Sequence, residues 1–386
     1  MAKKLHFPDG FLWGAATSSY QVEGIIKNVD WYKAAEKGRV PLVHNGINHY
    51  QEFENDFDLA RELGHNAHRF SIEWARIEPH EGELSEEGVT HYQEVLRALR
   101  ARNITPAVTL WHFTLPDWLA RKGGITHKEF PFYFARYASF LADRLNLDGC
   151  LVFTMNEPHV QMEMGWLVGK WPPFHKGDFI GWMRGLRNLS RAHSKAYEKI
   201  KEKHPELSVG VVLHGKYGRA NWNPINKLRA RLLMWYRNHQ FLDAVEEKVD
   251  MIGFNYYRHH SFGLRDTFPK TDFGWYIYPE GIYHALCDMK KYKKPIYITE
   301  NGLADAKDEK RAKFIRDHLK WVHRGIVEGV DVQGYFYWSL LDNFEWAEGY
   351  KMRFGLIEID FATKERNIRN SAWEFKKIID TNTLET

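Results

Sequence analysis

Cysteine is almost absent: Cys150 and Cys287 are the only two in 386 residues. That is too few for a disulfide framework, and their spacing is not that of a thiolate metal site. Both are read as buried small hydrophobes in a reducing compartment. Long apolar runs are missing as well. No stretch of roughly 18 apolar residues occurs, which excludes a spanning helix. The opening MAKKLHFPDGFLW has two lysines but no apolar core of the kind a secretion signal needs, so a cytoplasmic protein with no membrane contact is expected. Charge of one sign is also lacking. With 54 basic and 50 acidic residues the formal charge is +4, and there is no basic stripe for a nucleic acid. GxGxxG and the P-loop pattern are absent, and the 20 histidines include no HxxxH pair or Cys/His cluster. Neither a cofactor nor a metal is expected, and most histidines are expected at the surface or on helices. No repeat, low-complexity tract or Ser/Pro-rich linker divides the chain.

Aromatic residues, in contrast, are abundant: 15 Trp, 19 Tyr and 24 Phe. A large core would bury them, and a sugar site would stack pyranose faces on them; composition alone leaves both readings open. The hydrophobic content of 44% over 386 residues allows one large core, and a barrel is among the few folds that run this long as one domain. Short apolar runs alternate with segments of helical period. Eight strands are predicted: 11–16, 67–72, 105–110, 151–155, 208–213, 251–255, 296–299 and 332–338. Helices are predicted over 49–63, 86–102, 131–145, 185–203, 229–245, 279–292 and 308–329, with 304–311 a loop entering the last. This alternation predicts an α/β fold, a single (β/α)8 TIM barrel covering residues 1–386.

Barrel enzymes carry their chemistry at the C-terminal ends of the strands. Polar or aromatic groups occur there at nearly every strand: Gln21, Arg69, His112, Asn156 and Glu157, Asn255 and Tyr257, Glu300, and Trp338. Two of them are glutamates ending apolar strands, Glu157 in TMNEP and Glu300 in YITENG. A pair of carboxyl groups is what glycosidic cleavage requires, one to protonate the departing oxygen and one to attack the anomeric carbon.

These segments resemble the family 1 glycoside hydrolases, the β-glucosidase and β-galactosidase family. The likeness runs through FPDGFLWGAATSSYQVEG, RFSIEWARIEP, TLWHFTLPDWL, TMNEP, GFNYY, YITENG, GYFYWSLLDNFEWAEGY and RFGL, nearly the whole chain. It implies Glu157 as acid/base and Glu300 as nucleophile, with Arg69 holding Glu300 ionised and Tyr257 orienting it. It also implies sugar contacts from Gln21, His112, Asn156, Asn255, Glu345, Trp346 and Phe354, with Trp338 as the platform beneath the ring. The substrate implied is a terminal β-D-glucosyl group, with β-galactosyl and β-fucosyl as relatives, on a small β-glycoside or oligosaccharide, cleaved with retention. Homo-oligomerisation is left open. Transglycosylation at the same site and a non-catalytic sugar-binding barrel are the alternative readings.

The chain also departs from the family pattern. Members acting on 6-phosphosugars carry Ser, Lys and Tyr where this chain has Glu345, Met352 and Phe354, which favours an unphosphorylated hexose. Phe113 stands where Trp is common, and His68 where Tyr or Phe is frequent. Short segments after Gly24 and between Tyr257 and Ile296 predict an open entrance and weak selection of the leaving group.

Overall fold

The computed structural model describes residues 4–386. Eight parallel strands close on themselves: β1 (Leu12–Ala16), β2 (Ala67–Ser71), β3 (Thr105–Thr109), β4 (Leu151–Asn156), β5 (Ser208–His214), β6 (Met251–Asn255), β7 (Ile296–Asn301) and β8 (Val332–Trp338). They pair in chain order, and β8 closes the ring on β1 with Trp338 opposite Ala16, as successive right-handed βα units require. This is the expected (β/α)8 barrel, and the strand ends differ from expectation in an informative way. The pairing continues past the apolar run, so that β4 takes in Asn156, opposite Val212, β5 takes in His214, opposite Asn255, and β7 takes in Glu300, also opposite Asn255. Site residues expected on loops therefore sit on hydrogen-bonded strands. The ladder is irregular at two of these places, between Phe153 and Asn156 and between Tyr297 and Glu300. Such shifts re-aim the side chains that follow them.

Eight longer helices are α1 (His49–Glu62), α2 (Glu86–Ala101), α3 (Phe130–Arg144), α4 (Phe179–Lys203), α5 (Pro224–Met234), α6 (Glu280–Met289), α7 (Arg311–Val327) and α8 (Asn370–Thr381). Helix α2 shows the local logic. Ser85 accepts from the Gly88 amide at 3.1 Å, Glu86 and Glu87 lie at the positive end of the helix dipole, and Val89, Tyr92, Leu96 and Leu99 bury one stripe.

Three helices depart from expectation. Helix α4 begins six residues early, because the Asp178 carboxylate caps it at the Gly181 amide, 2.8 Å away. Its first turns expose Phe179, Ile180 and Met183, so no buried stripe marks them. Helix α5 starts at Pro224 under an Asn223 cap and stops at Met234, where a π turn over Trp235–His239 interrupts the expected run to Val245. Helix α8 was not predicted; it packs through Ala372, Phe375 and Ile378.

Inside the barrel, Ala16, Ala67, Ala107, Phe153, Val212, Met251 and Phe336 fill the core, and a larger apolar cluster lies between strands and helices. Gly14 belongs to this packing: a Cβ there would come within 1.9 Å of the Ala67 carbonyl oxygen. One expectation from composition is corrected: Cys287 is only half-buried, unlike Cys150. Nine of the 20 histidines are buried, and His49, His159, His193 and His318 among them are on helices, where faces packed on the barrel take the imidazole as a core group. Among the described residues no helix is long and apolar enough to cross a membrane.

Candidate active site

A cavity of about 350 Å³ opens at the C-terminal ends of the strands. Glu157 and Glu300 both line it, and both are about 95% buried, with 5% and 4% exposure. Gln21, His112, Asn156 and Tyr257 reach it from β1, β3, β4 and β6, and Trp338, Glu345, Trp346 and Phe354 from β8 and the segment after it. The structure thus brings together ten of the twelve residues expected from sequence.

The other two lie beneath the surface. Arg69 is buried under Glu300, as its expected role requires. Asn255, expected among the sugar contacts, is fully buried and outside the lining. Its amide donates to Glu157 Oε1 at 2.7 Å, and its oxygen accepts from Thr299 at 2.6 Å. An amide engaged at both ends under a carboxyl group holds that group rather than a ligand.

The two glutamates have opposite surroundings. Glu300 accepts from Arg69 Nη1 at 2.5 Å on one oxygen and from the Tyr257 hydroxyl at 2.6 Å on the other. Arg69 is fixed in turn by Asn156 Oδ1 (2.8 Å) and Thr109 Oγ1 (3.0 Å). Glu157 meets no cation at hydrogen-bond distance. Asn255 and His214 Nδ1 (2.8 Å) both approach its Oε1. The backbone of Glu157 is left-handed, with φ of +43°, followed by Pro158 at the start of a short helix. For a residue with a Cβ this conformation costs roughly 1–2 kcal/mol, and it turns the side chain off the strand into the cavity mouth.

The charges follow from this geometry. Burial raises Glu300 to about 7 against the opposing charge of Arg69, and the neighbouring Glu157 adds to the rise. Burial also raises Glu157, opposed first by the Asn255 hydrogen bond. Glu345 is lifted to about 8 by burial and then by the charges of Glu300 and Glu157. Glu157, Glu300 and Glu345 raise one another and do not all ionise, and their negative charge settles where a guanidinium meets it, on Glu300. With His214 held neutral by burial, its Nδ1–H and the Asn255 amide can both donate to Oε1, leaving Oε2 of Glu157 to carry the proton.

On the side of the cavity lined by Trp338 and Trp346, Glu345 Oε2 and His112 Nδ1 are buried without partners. His112 is kept neutral by burial and by Arg69. Its Nε2 lies 3.2 Å from the Asn156 amide nitrogen, which can only donate, so the unpartnered Nδ1 carries the hydrogen. A buried acceptor and a buried donor left open in this way suit a ligand rich in hydroxyl groups. The ring of His112 is nearly parallel to those of Trp338 and Trp346, at interplanar angles of 23° and 15°, which forms an aromatic wall.

Several lining residues were not anticipated. His214 ends β5, the strand for which no polar end was noted. Glu163 and Arg237 sit on two separate π turns, Glu163–Val168 and Trp235–His239, and form an ion pair across the cavity rim. A π turn leaves no period in the sequence, so nothing there marked them. Among the described residues one group, Asp148, His204 and Glu206, brings potential metal ligands together. It precedes β4 and β5, at the barrel end opposite the cavity.

Comparison with known proteins agrees with this geometry. The model of glycosyl hydrolase family 1 matches residues 3–243 and 258–384. β-Glucosidase A of Thermotoga maritima is 33% identical over 98% of this chain and 99% of its own, and a β-galactosidase of Pyrococcus woesei is 31% identical over 97% of each. The solved structure of a β-glycosidase from Pyrococcus horikoshii superposes with a TM-score of 0.93 at 37% identity, covering 100% of this chain and 97% of that one. An eight-stranded barrel with two buried glutamates at its mouth, matched along its length by these enzymes, belongs to glycosyl hydrolase family 1.

Proposed function

We propose that the chain hydrolyses β-glycosides with net retention, removing a terminal β-D-glucosyl group and accepting β-galactosyl and β-fucosyl groups, with Glu300 as nucleophile and Glu157 as acid/base. One observation carries this reading: the two buried glutamates face one cavity, and only Glu300 is met by a guanidinium. In the first step a Glu300 oxygen bonds to the anomeric carbon as the bond to the leaving oxygen breaks. That electron pair stays on the leaving oxygen, which takes the proton from Glu157 Oε2. Esterification removes the charge of Glu300, and the loss of that charge lowers the proton affinity of Glu157. Glu157 then accepts a proton from water as the water oxygen attacks the anomeric carbon and releases Glu300. Tyr257 and Arg69 hold Glu300 before attack and receive its charge again on release.

The unpartnered Glu345 Oε2 and His112 Nδ1 would bind sugar hydroxyls, and Trp338 would lie beneath the ring. Asn156 would meet the 2-hydroxyl, where contacts strengthen in the transition state. A phosphate at the far end of the sugar would face Glu345, which offers it no positive charge, and the apolar ring of Phe354, so an unphosphorylated hexose is the substrate. We place the reaction in the cytoplasm, on the support of two free thiols, and treat residues 1–386 as one catalytic domain.

The test is proton NMR of the sugar released from an aryl β-glucoside, beside a Glu300→Ala control. First appearance of the β-anomer with an inactive control is expected. First appearance of the α-anomer would refute the double displacement, and no release from any β-glycoside would move the sugar-binding reading forward. Added alcohol or sugar acceptors would reveal transfer as a change in product ratio.

A further inference from the structure

The proposed reaction accounts for one end of the cavity. The proposed sugar contacts come from β1, β3, β4 and β8, whereas the leaving group must lie past Glu157, toward β5 and β6. That side is lined by three cations, Lys216, Arg237 and Arg258. Lys216 follows β5 by two residues and is 6% exposed; among the described residues its ammonium has neither an ion pair nor a hydrogen bond. Arg258 follows Tyr257 and is exposed. Its guanidinium lies 5.2 Å from the centre of the Trp275 ring and, among the described residues, pairs with no carboxylate. Arg237 pairs with Glu163 through Nη2, while its Nε and Nη1 are buried without partners.

Among the described residues Glu163 thus forms an ion pair with one of the three cations, and the other two have none. The strain is electrostatic: burial, then the charges of Arg258 and Arg237, hold Lys216 well below the usual lysine range. Like charges gathered in a partly desolvated wall are unfavourable unless an anion joins them. The two unpartnered guanidinium nitrogens of Arg237 lie on the same lining as the Lys216 amine, and together they make a donor set that suits an oxyanion. The rings of Trp275 and Phe273, stacked at 4.2 Å, flank the same opening.

We propose that the β5–β6 side of the cavity is an anion-binding subsite for the leaving group, selecting β-glycosides whose aglycone carries a carboxylate or a phosphate-type oxyanion. The proposal rests on the catalytic reading above, because Glu157 defines which side the leaving group occupies. It also replaces the expectation of weak aglycone selection. Short loops leave the shape of this side open, but not its charge.

The experiment compares three glucosides with closely matched phenol leaving groups: 4-(carbamoylmethyl)phenyl, 4-(carboxymethyl)phenyl and 4-(phosphonomethyl)phenyl β-D-glucoside. The charged substrates should have kcat/KM about tenfold above the neutral one, carried mainly by KM and diminishing as salt is raised. The larger of the two ratios identifies the preferred anion. Arg258→Met and Lys216→Met should each lower the ratio at least about threefold, and because Arg258 is exposed its substitution does not put the core at risk. A ratio of one or less in the wild-type enzyme, or a ratio above one that neither substitution lowers, overturns the proposal. If these cations serve only to tune Glu157, the three substrates change alike and the ratio stays fixed, which also overturns it. Turnover of the neutral glucoside without anion preference defeats this proposal alone. Failure to cleave any of the three defeats the catalytic reading beneath it.

Discussion

Replacing Arg69 with methionine isolates the group that decides which glutamate is charged. Arg69 donates to Glu300 at 2.5 Å and is itself 1% exposed, so no water replaces it when it is gone. An adjacent guanidinium lowers a carboxyl pKa by about 1–3 units, and its loss should raise Glu300 by that amount above the value of about 7 that burial and Arg69 together give it. On the proposed mechanism kcat/KM follows ionised Glu300 on the acid side, so the acid limb should move to higher pH by about 1–3 units. Well below both limbs, kcat/KM should fall by about 10- to 1,000-fold, or about 1.4–4 kcal/mol. The fold should survive, since protonation of Glu300 relieves the unpaired charge, and Asn156 and Thr109 lose one donor each. The assay is a profile of kcat/KM against pH with an aryl β-glucoside, with Arg69→Lys beside it; lysine keeps the charge and should move the limb less. A uniform loss of rate with the acid limb within about half a unit of wild type would refute the reasoning, because a cation that sets this charge cannot leave the limb in place.

Three further outcomes follow from the geometry. Tyr257→Phe removes a 2.6 Å hydrogen bond to Glu300; bonds to charged groups contribute about 1.5–3 kcal/mol, so kcat/KM should fall about 10- to 150-fold, and an unchanged value would remove Tyr257 from the mechanism. His214→Leu takes a donor from Glu157 Oε1 and should raise the alkaline limb while reducing kcat by about two- to tenfold, the scale of one neutral hydrogen bond; a downward shift in the limb would show that His214 stabilises the protonated acid instead. His65 is buried with neither ring nitrogen partnered, and burial lowers it to about 3. The unfolded chain takes up protons below the ordinary imidazole value of about 6.5 and the folded one does not, so stability falls as pH drops from there toward 3 and is intact above it. At pH 5 this amounts to about 2 kcal/mol, so His65→Leu should narrow the difference in Tm between pH 7.5 and pH 5, and an unaltered difference would exclude this histidine as the cause.

The sequence by itself determined the barrel. Eight apolar runs separated by helical periods admit few other closures, and the family resemblance of the ordered motifs singles out the two glutamates as candidates without coordinates. Strand ends and helix starts were less legible for a local reason. A polar residue such as Asn156 or Glu300 reads as the end of a strand, whereas backbone pairing with the neighbouring strand carries through it whatever its side chain. Exposed apolar residues hid the first turns of α4 in the same way.

Only the tertiary structure decided the electrostatics of the site. That Asn255 supports Glu157 from below, that His214 shares its oxygen, and that Lys216, Arg237 and Arg258 line one cavity all depend on chain separations, 98 and 57 residues for the first two, being closed by the barrel. Residue type and spacing report what a segment becomes along its own axis. Burial, and the charges that burial forces on neighbours, come from which segments the barrel closure sets side by side.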